Sequence, residues 1–303
     1  MGEILIQSAG LVLLIVLGYV LKKVGLFKQE DSKVFSNTMV YITFPAVLIH
    51  AFQDFQVDTS LISMFFMNLI LCGIMAVVGR IAGRKEDPKT CAMYILCMAG
   101  LNVGSFSIPF IQTFFPERMM SVVMFDIGNA ISCCGLIFSF AVMQMNHTRG
   151  VDLKLMGKTL VKSFAFDLYV VLLLLQALHV RFPEPVYEIA GTIGAANPVI
   201  VMLMLGILFE FNLAPDCKRQ VLRITAIRVS AEVVLAVLIY FFLPMSLELR
   251  QVLVLLILGP CTSMTPVFCG QLDCDPDVYG TVSSLTIAIS IVMMVGLAVI
   301  WAV

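Results

Sequence analysis

The chain has 303 residues, 60 % of them apolar and 13 % charged, with a net charge of −1 and a mean hydropathy of +1.00. Soluble domains carry about a quarter charged residues, so the composition excludes a soluble fold and indicates an all-α polytopic membrane protein. At about 20 residues per crossing the length holds about ten helices and no soluble domain, and no nucleic-acid partner is expected.

The first apolar run, 4–21, ends in Lys22-Lys23 without a small-residue cleavage site, and no basic segment precedes it. It therefore predicts a first span rather than a cleaved signal. Position 6 is Ile, so Met1-Gly2 does not fit the myristoylation pattern. Further runs follow at 34–53, 60–79, 91–115, 119–144, 160–180, 187–209, 220–243, 251–272 and 278–302, giving ten predicted spans. Sorted by alternate connections, fifteen of the 19 basic residues fall on one side and three (Arg118, Arg181, Arg250) on the other, while Arg228 lies within span eight. The positive-inside rule then puts both termini outside and the central connection, 146–158, in the cytoplasm. A sequon at Asn146 would face the cytoplasm and is not expected to carry sugar.

Five spans on either side of that connection force the two halves into opposite orientations. The expected units are 1–145, the connection 146–158, and 159–303. A weak internal repeat supports them. Pro45 in span two and Pro198 in span seven sit at similar depths, as do Pro109 in span four and Pro266 in span nine.

Spans four and nine are interrupted. Gly100 to Pro109 reads GLNVGSFSIP and Gly259 to Pro266 reads GPCTSMTP. Proline removes a backbone donor and glycine weakens a helix, so both stretches are expected to unwind in mid-membrane. Paired interruptions in corresponding spans are the sequence mark of a transporter's binding site. Asn102, Ser105 and Ser107 add polar groups at the first, and Thr262, Ser263 and Thr265 at the second. The freed half-helix ends suit a carboxylate at the N-terminal side and a cation at the carbonyl side. The competing structural account is a pair of packing kinks, with Gly100 and Gly104 as a helix contact.

Ionisable residues inside spans are costly and usually functional. Asp126, about 12 Å into span five at 1.5 Å per residue, and Asn129 one turn on are read as ligands for a coupling cation or proton; a buried Asp bonded to a neighbouring helix is the structural account. Arg228 and Glu232 form an i, i+4 pair in span eight. They serve either as an internal ion pair or in binding an anion or a proton, although the Arg228 stem is long enough to reach the cytoplasmic interface. Asp167, His50 and His179 lie near span ends. With no phosphate-binding loop, no HExxH and three histidines, ATP-driven pumping and hydrolysis are excluded and no enzyme activity is expected. Nine cysteines without a CxxC pair indicate no zinc site and no disulfide framework.

The chain resembles the auxin efflux carrier family, which includes the plant PIN carriers and bacterial permeases of small carboxylates. The likeness rests on LGYVLKKVGLF (17–27), YITFPAVLI (41–49), GLNVGSFSIPF (100–110), FDIGN (125–129) and GPCTSMTPV (259–267). It implies ten helices as two inverted five-helix repeats, the fold shared with NhaA-type antiporters and bile-acid symporters, with broken helices four and nine crossing. It also implies a scaffold of spans one, two, six and seven, a mobile transport domain of the rest, and a homodimer through the scaffold. Pro109 and Pro266 are then expected at the crossover, and Asn102, Ser105, Thr262, Ser263 and Asn197 in the substrate site. The expected protein is a plasma-membrane carrier of a small organic anion, with no bound cofactor and coupling to H+, to Na+ or to the membrane potential. The rival expectation is a ligand-gated sensor or channel using the same pocket.

Overall fold

The computed structural model describes residues 2–53, 59–146, 157, 160, 164–209 and 217–301. All regular structure among them is helical, as a lipid environment requires of a chain whose backbone groups must be satisfied internally. The predicted central connection lies almost wholly outside the described residues, as do Phe211 and the basic residues Arg149, Lys154, Lys158 and Lys162.

The helices, in order, are α1 (Gly2–Lys23), α2 (Gln29–Ala51), α3 (Thr59–Ala82), α4 (Pro88–Ala99), α5 (Ile108–Phe114), α6 (Pro116–Asn146), α7 (Phe164–Ala177), α8 (Glu184–Gly194), α9 (Asn197–Leu208), α10 (Lys218–Phe242), α11 (Leu247–Ile257), α12 (Thr265–Gln271) and α13 (Pro276–Trp301). Among the described residues six helical stretches are long and apolar enough to cross a membrane on their own: α2, α3, α6, the α8–α9 pair, α10 and α13. The shorter α7 is also apolar. The predicted spans four and nine are each cut in two, so that neither piece reaches membrane length.

α6 sits deepest. Of its apolar stretch 76 % is buried, against 33 % in α3, α10 and α13, whose outer faces carry Phe66, Ile70, Val237, Phe241 and Val292 into the lipid-facing surface. Glycines mark the closest crossings. A Cβ on Gly18 of α1 would lie 2.4 Å from the Leu203 carbonyl of α9, and one on Gly206 would lie 2.1 Å from the Ile15 carbonyl. Gly194 of α8 meets Val47 of α2 in the same way, and Gly128 of α6 meets the Phe65 carbonyl of α3.

Two packing groups result. α1, α2, α8 and α9 lean on one another, and α7 lies at their edge, touching α6 of the other group and meeting α2 through ring contacts of Phe164 with Tyr41 (5.0 Å) and Tyr169 with Phe44 (6.1 Å). α3 to α6 and α10 to α13 form the other group. Side-chain hydrogen bonds among the described residues cross between the groups from Gln112 Nε2 to the Gly194 carbonyl (3.0 Å) and from the Tyr169 hydroxyl to Asp126 Oδ2 (2.6 Å).

Candidate functional site

The helix of α4 stops at Gly100, whose backbone is extended (φ −79°, ψ 133°), and resumes in a widened turn, Val103–Ser107, that leads into α5. α11 ends at Ile257 and the chain stays irregular until α12 begins at Thr265. The two irregular strips lie antiparallel as a single β-bridge between Leu101 and Cys261. The Asn102 N–H donates to the Pro260 carbonyl (2.9 Å) and the Thr262 N–H to the Gly100 carbonyl (3.2 Å). Each break thus satisfies backbone groups that the other leaves free, which is how irregular backbone survives at membrane depth.

The prolines stand away from this junction. Pro109 and Pro266 each occupy the first turn of the helix that follows, where a missing N–H costs nothing. The crossing point is Leu101 with Cys261, and Pro109, expected at the crossing, is buried in α5 and lines neither of the cavities described below. Gly100 is what the approach demands: a Cβ there would lie 2.3 Å from Thr262 Cγ2.

Arg228 of α10 binds the back of the junction. It is fully buried, so its stem does not reach an interface, and its guanidinium donates to the carbonyls of Cys97 (2.7 Å), Met98 (2.8 Å), Gly100 (3.1 Å) and Gly259 (3.1 Å). These are carbonyls at and just beyond the C-terminal ends of α4 and α11, where helix dipoles concentrate partial negative charge. Glu232 closes the set, its Oε1 lying 2.6 Å from Arg228 Nε. The pair lines neither cavity and stabilises the crossing from behind.

Two cavities of about 440 Å³ each reach the front of the junction. One runs between α9 and α13, past Met204, Leu208, Thr281 and Ser284, towards Gln29 and Asp277. The other runs between α2, α6 and α7, past Phe44, Asp126, Asn129 and Tyr169, towards Phe164 and Gln271. Asn102, Ser105 and Ser263 line both. Their side-chain polar groups make no hydrogen bond to the protein among the described residues, although Asn102 is only 5 % exposed. Pro266 lines the first cavity and Thr262 the second. Among the described residues no lysine or arginine lines either one, and Asp126 and Asp277 are the charged groups present.

Asp126 and Asn129 are bonded to each other (3.1 Å) and to the junction, since Asn129 Nδ2 also donates to the Leu101 carbonyl at 3.1 Å. Asn197 lines neither cavity. It is fully buried at the start of α9, where it accepts from the Thr43 hydroxyl of α2 (2.9 Å) and ties those two helices. Two residues of the surroundings escaped the sequence reading. Tyr169, a single hydroxyl in an apolar helix, gave little signal. Asn68, the lone amide of α3, gave a clear one: it is fully buried and accepts from Ser132 of α6 (2.8 Å).

The lining of both cavities reaches towards one end of the molecule, through Gln29 and Asp277 in the first and Gln271 in the second. That end gathers the connections joined by Arg223 with Glu86 (2.6 Å), Lys22 with the Phe209 carbonyl (2.6 Å) and Cys217 with Asp275 (3.5 Å). At the opposite end α5 is buried around Phe110 and Phe114, whose rings lie 4.6 Å apart.

Comparison with known proteins agrees with a membrane carrier. The chain is 24 % identical over 294 residues to an uncharacterized transporter of Methanothermobacter thermautotrophicus, with 93 % of each chain covered. It is 23 % identical over 211 residues to an uncharacterized transporter of Methanocaldococcus jannaschii, spanning 64 % of this chain and 65 % of that one. The pattern described as "membrane transport protein" matches residues 3–162, just over half of the chain. With breaks, cavities and pattern in register, the protein is a multi-pass membrane transporter that belongs to this membrane transport protein family, the family of the auxin efflux carriers.

Proposed function

We propose that the protein is a secondary carrier that moves a small organic anion, such as a carboxylate, by alternating access at the paired breaks. The observation that carries this reading is the trio of Asn102, Ser105 and Ser263. Among the described residues their polar groups have no protein partner, and they line two cavities at an antiparallel junction of two broken helices. An amide and two hydroxyls at the junction of two broken helices offer a carboxylate uncharged donors.

In this reading the chain is two inverted five-helix repeats, 1–145 and 159–303. α1, α2, α7, α8 and α9 are the scaffold, and the other helices move as one body. The basic connections then face the cytoplasm, both termini lie outside the plasma membrane, and the cavities describe an inward-open state. A homodimer would form through the scaffold, leaving the second group free to slide. With no nucleotide site in the sequence, the driving force is an ion gradient or the membrane potential, worth about 2.3 kcal/mol per charge per 100 mV.

The test is uptake of a panel of radiolabelled carboxylates into proteoliposomes, with and without proton and sodium gradients. A transported carboxylate is expected to show saturable counterflow that Asn102→Ala or Ser263→Ala reduces by tenfold or more, about 1.4 kcal/mol or more of lost binding. Wild-type counterflow in both variants overturns the assignment. Single-channel currents in a planar bilayer would point instead to a channel using the same cavities.

A further inference from the structure

Asp126 stands where the two packing groups touch. It belongs to α6, which packs chiefly on α3, α4 and the first break, while the hydroxyl that reaches its Oδ2 at 2.6 Å comes from Tyr169 of α7, a helix that touches both α6 and α2 and whose Tyr169 ring meets Phe44 of α2. Its Oδ1 accepts from Asn129 at 3.1 Å, and Asn129 in turn grips the Leu101 carbonyl and accepts from Cys133 Sγ (3.2 Å). Tyr169 is fully buried and Asp126 is 7 % exposed, yet both line the second cavity, so water in that cavity reaches the carboxylate.

We propose that the Asp126–Tyr169 hydrogen bond is a latch between the two groups that a proton arriving from the second cavity releases, making Tyr169 a positioning residue for the transport cycle. The proposal rests on the carrier reading above for its purpose, though not for its test.

The reasoning is one of donors and acceptors. A carboxylate only accepts, and here each of its oxygens has a donor, a hydroxyl on one and an amide on the other. A proton that settles on Oδ2 turns that oxygen into a donor facing the Tyr169 O–H. The phenol O–H must then turn away, and the charge-assisted bond between the groups gives way to at most a neutral one of about half the strength. On Oδ1 the proton displaces Asn129 and loosens Asp126 from the junction instead.

A metal cation is the poorer fit. Sodium seeks a shell of oxygen acceptors, whereas the groups that reach the carboxylate present it with an O–H and an N–H, donors that a bound cation would have to turn away. Among the described residues no group of three or more His, Cys, Asp or Glu side chains is placed to hold a metal.

The surroundings leave Asp126 as the group that titrates. From α7 it faces Tyr169; from α2, Phe44; from the first break, Leu101 and Gly104, whose Cβ position lies 3.4 Å from Oδ2. From α6 itself Cys133 reaches it through Asn129, Tyr41 is the other phenol lining the cavity, and among the described residues no basic side chain lines it. The position matters because a sliding motion of one group against the other must break every bond between them, and Gln112 to Gly194 is the counterpart towards the opposite end.

The test needs no substrate. Hydrogen exchange read by mass spectrometry, on protein reconstituted in lipid and corrected for intrinsic rates, compares wild type, Tyr169→Phe, Asp126→Asn and Asp126→Glu between pH about 8 and about 5. The expected result is that wild type and Asp126→Glu lose protection in 101–107 and 164–177 by about tenfold or more as pH falls. Tyr169→Phe and Asp126→Asn should show that loosened pattern at every pH. Should wild type exchange identically across the range, or should folded Tyr169→Phe keep the wild-type pH profile, the latch is overturned. Carboxylate counterflow on the same preparations reads the carrier assignment separately.

Discussion

Arg228 Nε lies 2.6 Å from Glu232 Oε1, one helical turn away, and neither residue is more than 1 % exposed. The same guanidinium donates to carbonyls of both breaks, so one cation serves the ends of two half-helices and one carboxylate. Arginine suits this place because its planar fork offers five donors, where lysine offers three from a point.

Removing the cation is therefore expected to be far worse than removing the anion. Arg228→Met strands a buried carboxylate and four carbonyls, a loss of about 3–5 kcal/mol. Glu232→Gln leaves the guanidinium its carbonyl partners and costs on the order of 1 kcal/mol. Unfolding monitored with a thiol-reactive dye measures both, since Cys97, Cys261 and Cys269 are buried around the junction and become reactive when it opens. Equal midpoints for Arg228→Met and wild type would show that the clamp contributes nothing.

Gly100 supplies a second measure of the junction. Its missing Cβ leaves room for Thr262, whose Cγ2 would lie 2.3 Å away and whose Cβ would lie 3.1 Å away. Gly100→Ala must push the two strips apart and strain the bridge, with an expected cost of about 1–3 kcal/mol. Adding Thr262→Ser removes the closer atom, so the double variant should recover at least half of the loss. No recovery would mean that the penalty comes from Gly100's own backbone.

Much of this site was legible in the chain because the breaks violate helix chemistry in an otherwise apolar run. Gly100, Asn102, Gly259 and Pro260 announce that backbone groups will be free, and Asp126 announces a buried charge. What the sequence could not supply is who meets whom. Leu101 and Cys261 pair through backbone atoms, which carry no residue code, so the prolines drew attention to positions past the crossing. Arg228 read as half of an i, i+4 pair, and its four carbonyl partners lie on other elements far along the chain. Tyr169 was missed because a lone tyrosine in an apolar helix is common at membrane interfaces. Asn197, adjacent to a proline at a plausible depth, turned out to join α2 to α9.

The start of α4 offers a test against pH. Asp87 caps the helix, its Oδ1 accepting from the N–H groups of Lys89 and Thr90 at 3.1 Å each. Hydrogen bonding from Thr90, with a smaller share from Lys89, holds its carboxyl below the usual carboxylate range. A lowered value in the folded state means that the cap stabilises above about pH 4, the unfolded value, and that this stability fades as pH falls through the folded value. Asp87→Ala should cost about 1 kcal/mol at neutral pH, and the gap to wild type should close in acid. A gap that stays constant down to pH about 3 would show that the carboxylate charge plays no part in the cap.

The tightest helix crossing should tolerate least. At Gly18 the atom in the way is the Leu203 carbonyl oxygen at 2.4 Å, and at Gly206 it is the Ile15 carbonyl oxygen at 2.1 Å. Backbone carbonyls inside helices cannot rotate aside as a side chain would, so either alanine forces α1 and α9 apart along their whole contact. Small residues at such crossings are what lets membrane helices gain van der Waals contact when lipid offers no hydrophobic drive. Gly18→Ala and Gly206→Ala are each expected to cost about 2–3 kcal/mol. Gly10→Ala in α1 and Gly73→Ala in α3 meet nothing within 4 Å and should be neutral or slightly stabilising. Thermal midpoints of the four variants in one detergent read the contrast directly. Equal loss in all four would mean that backbone entropy, and not the crossing, sets the penalty; loss confined to Gly18 and Gly206 would place the stability of this group in the α1–α9 contact.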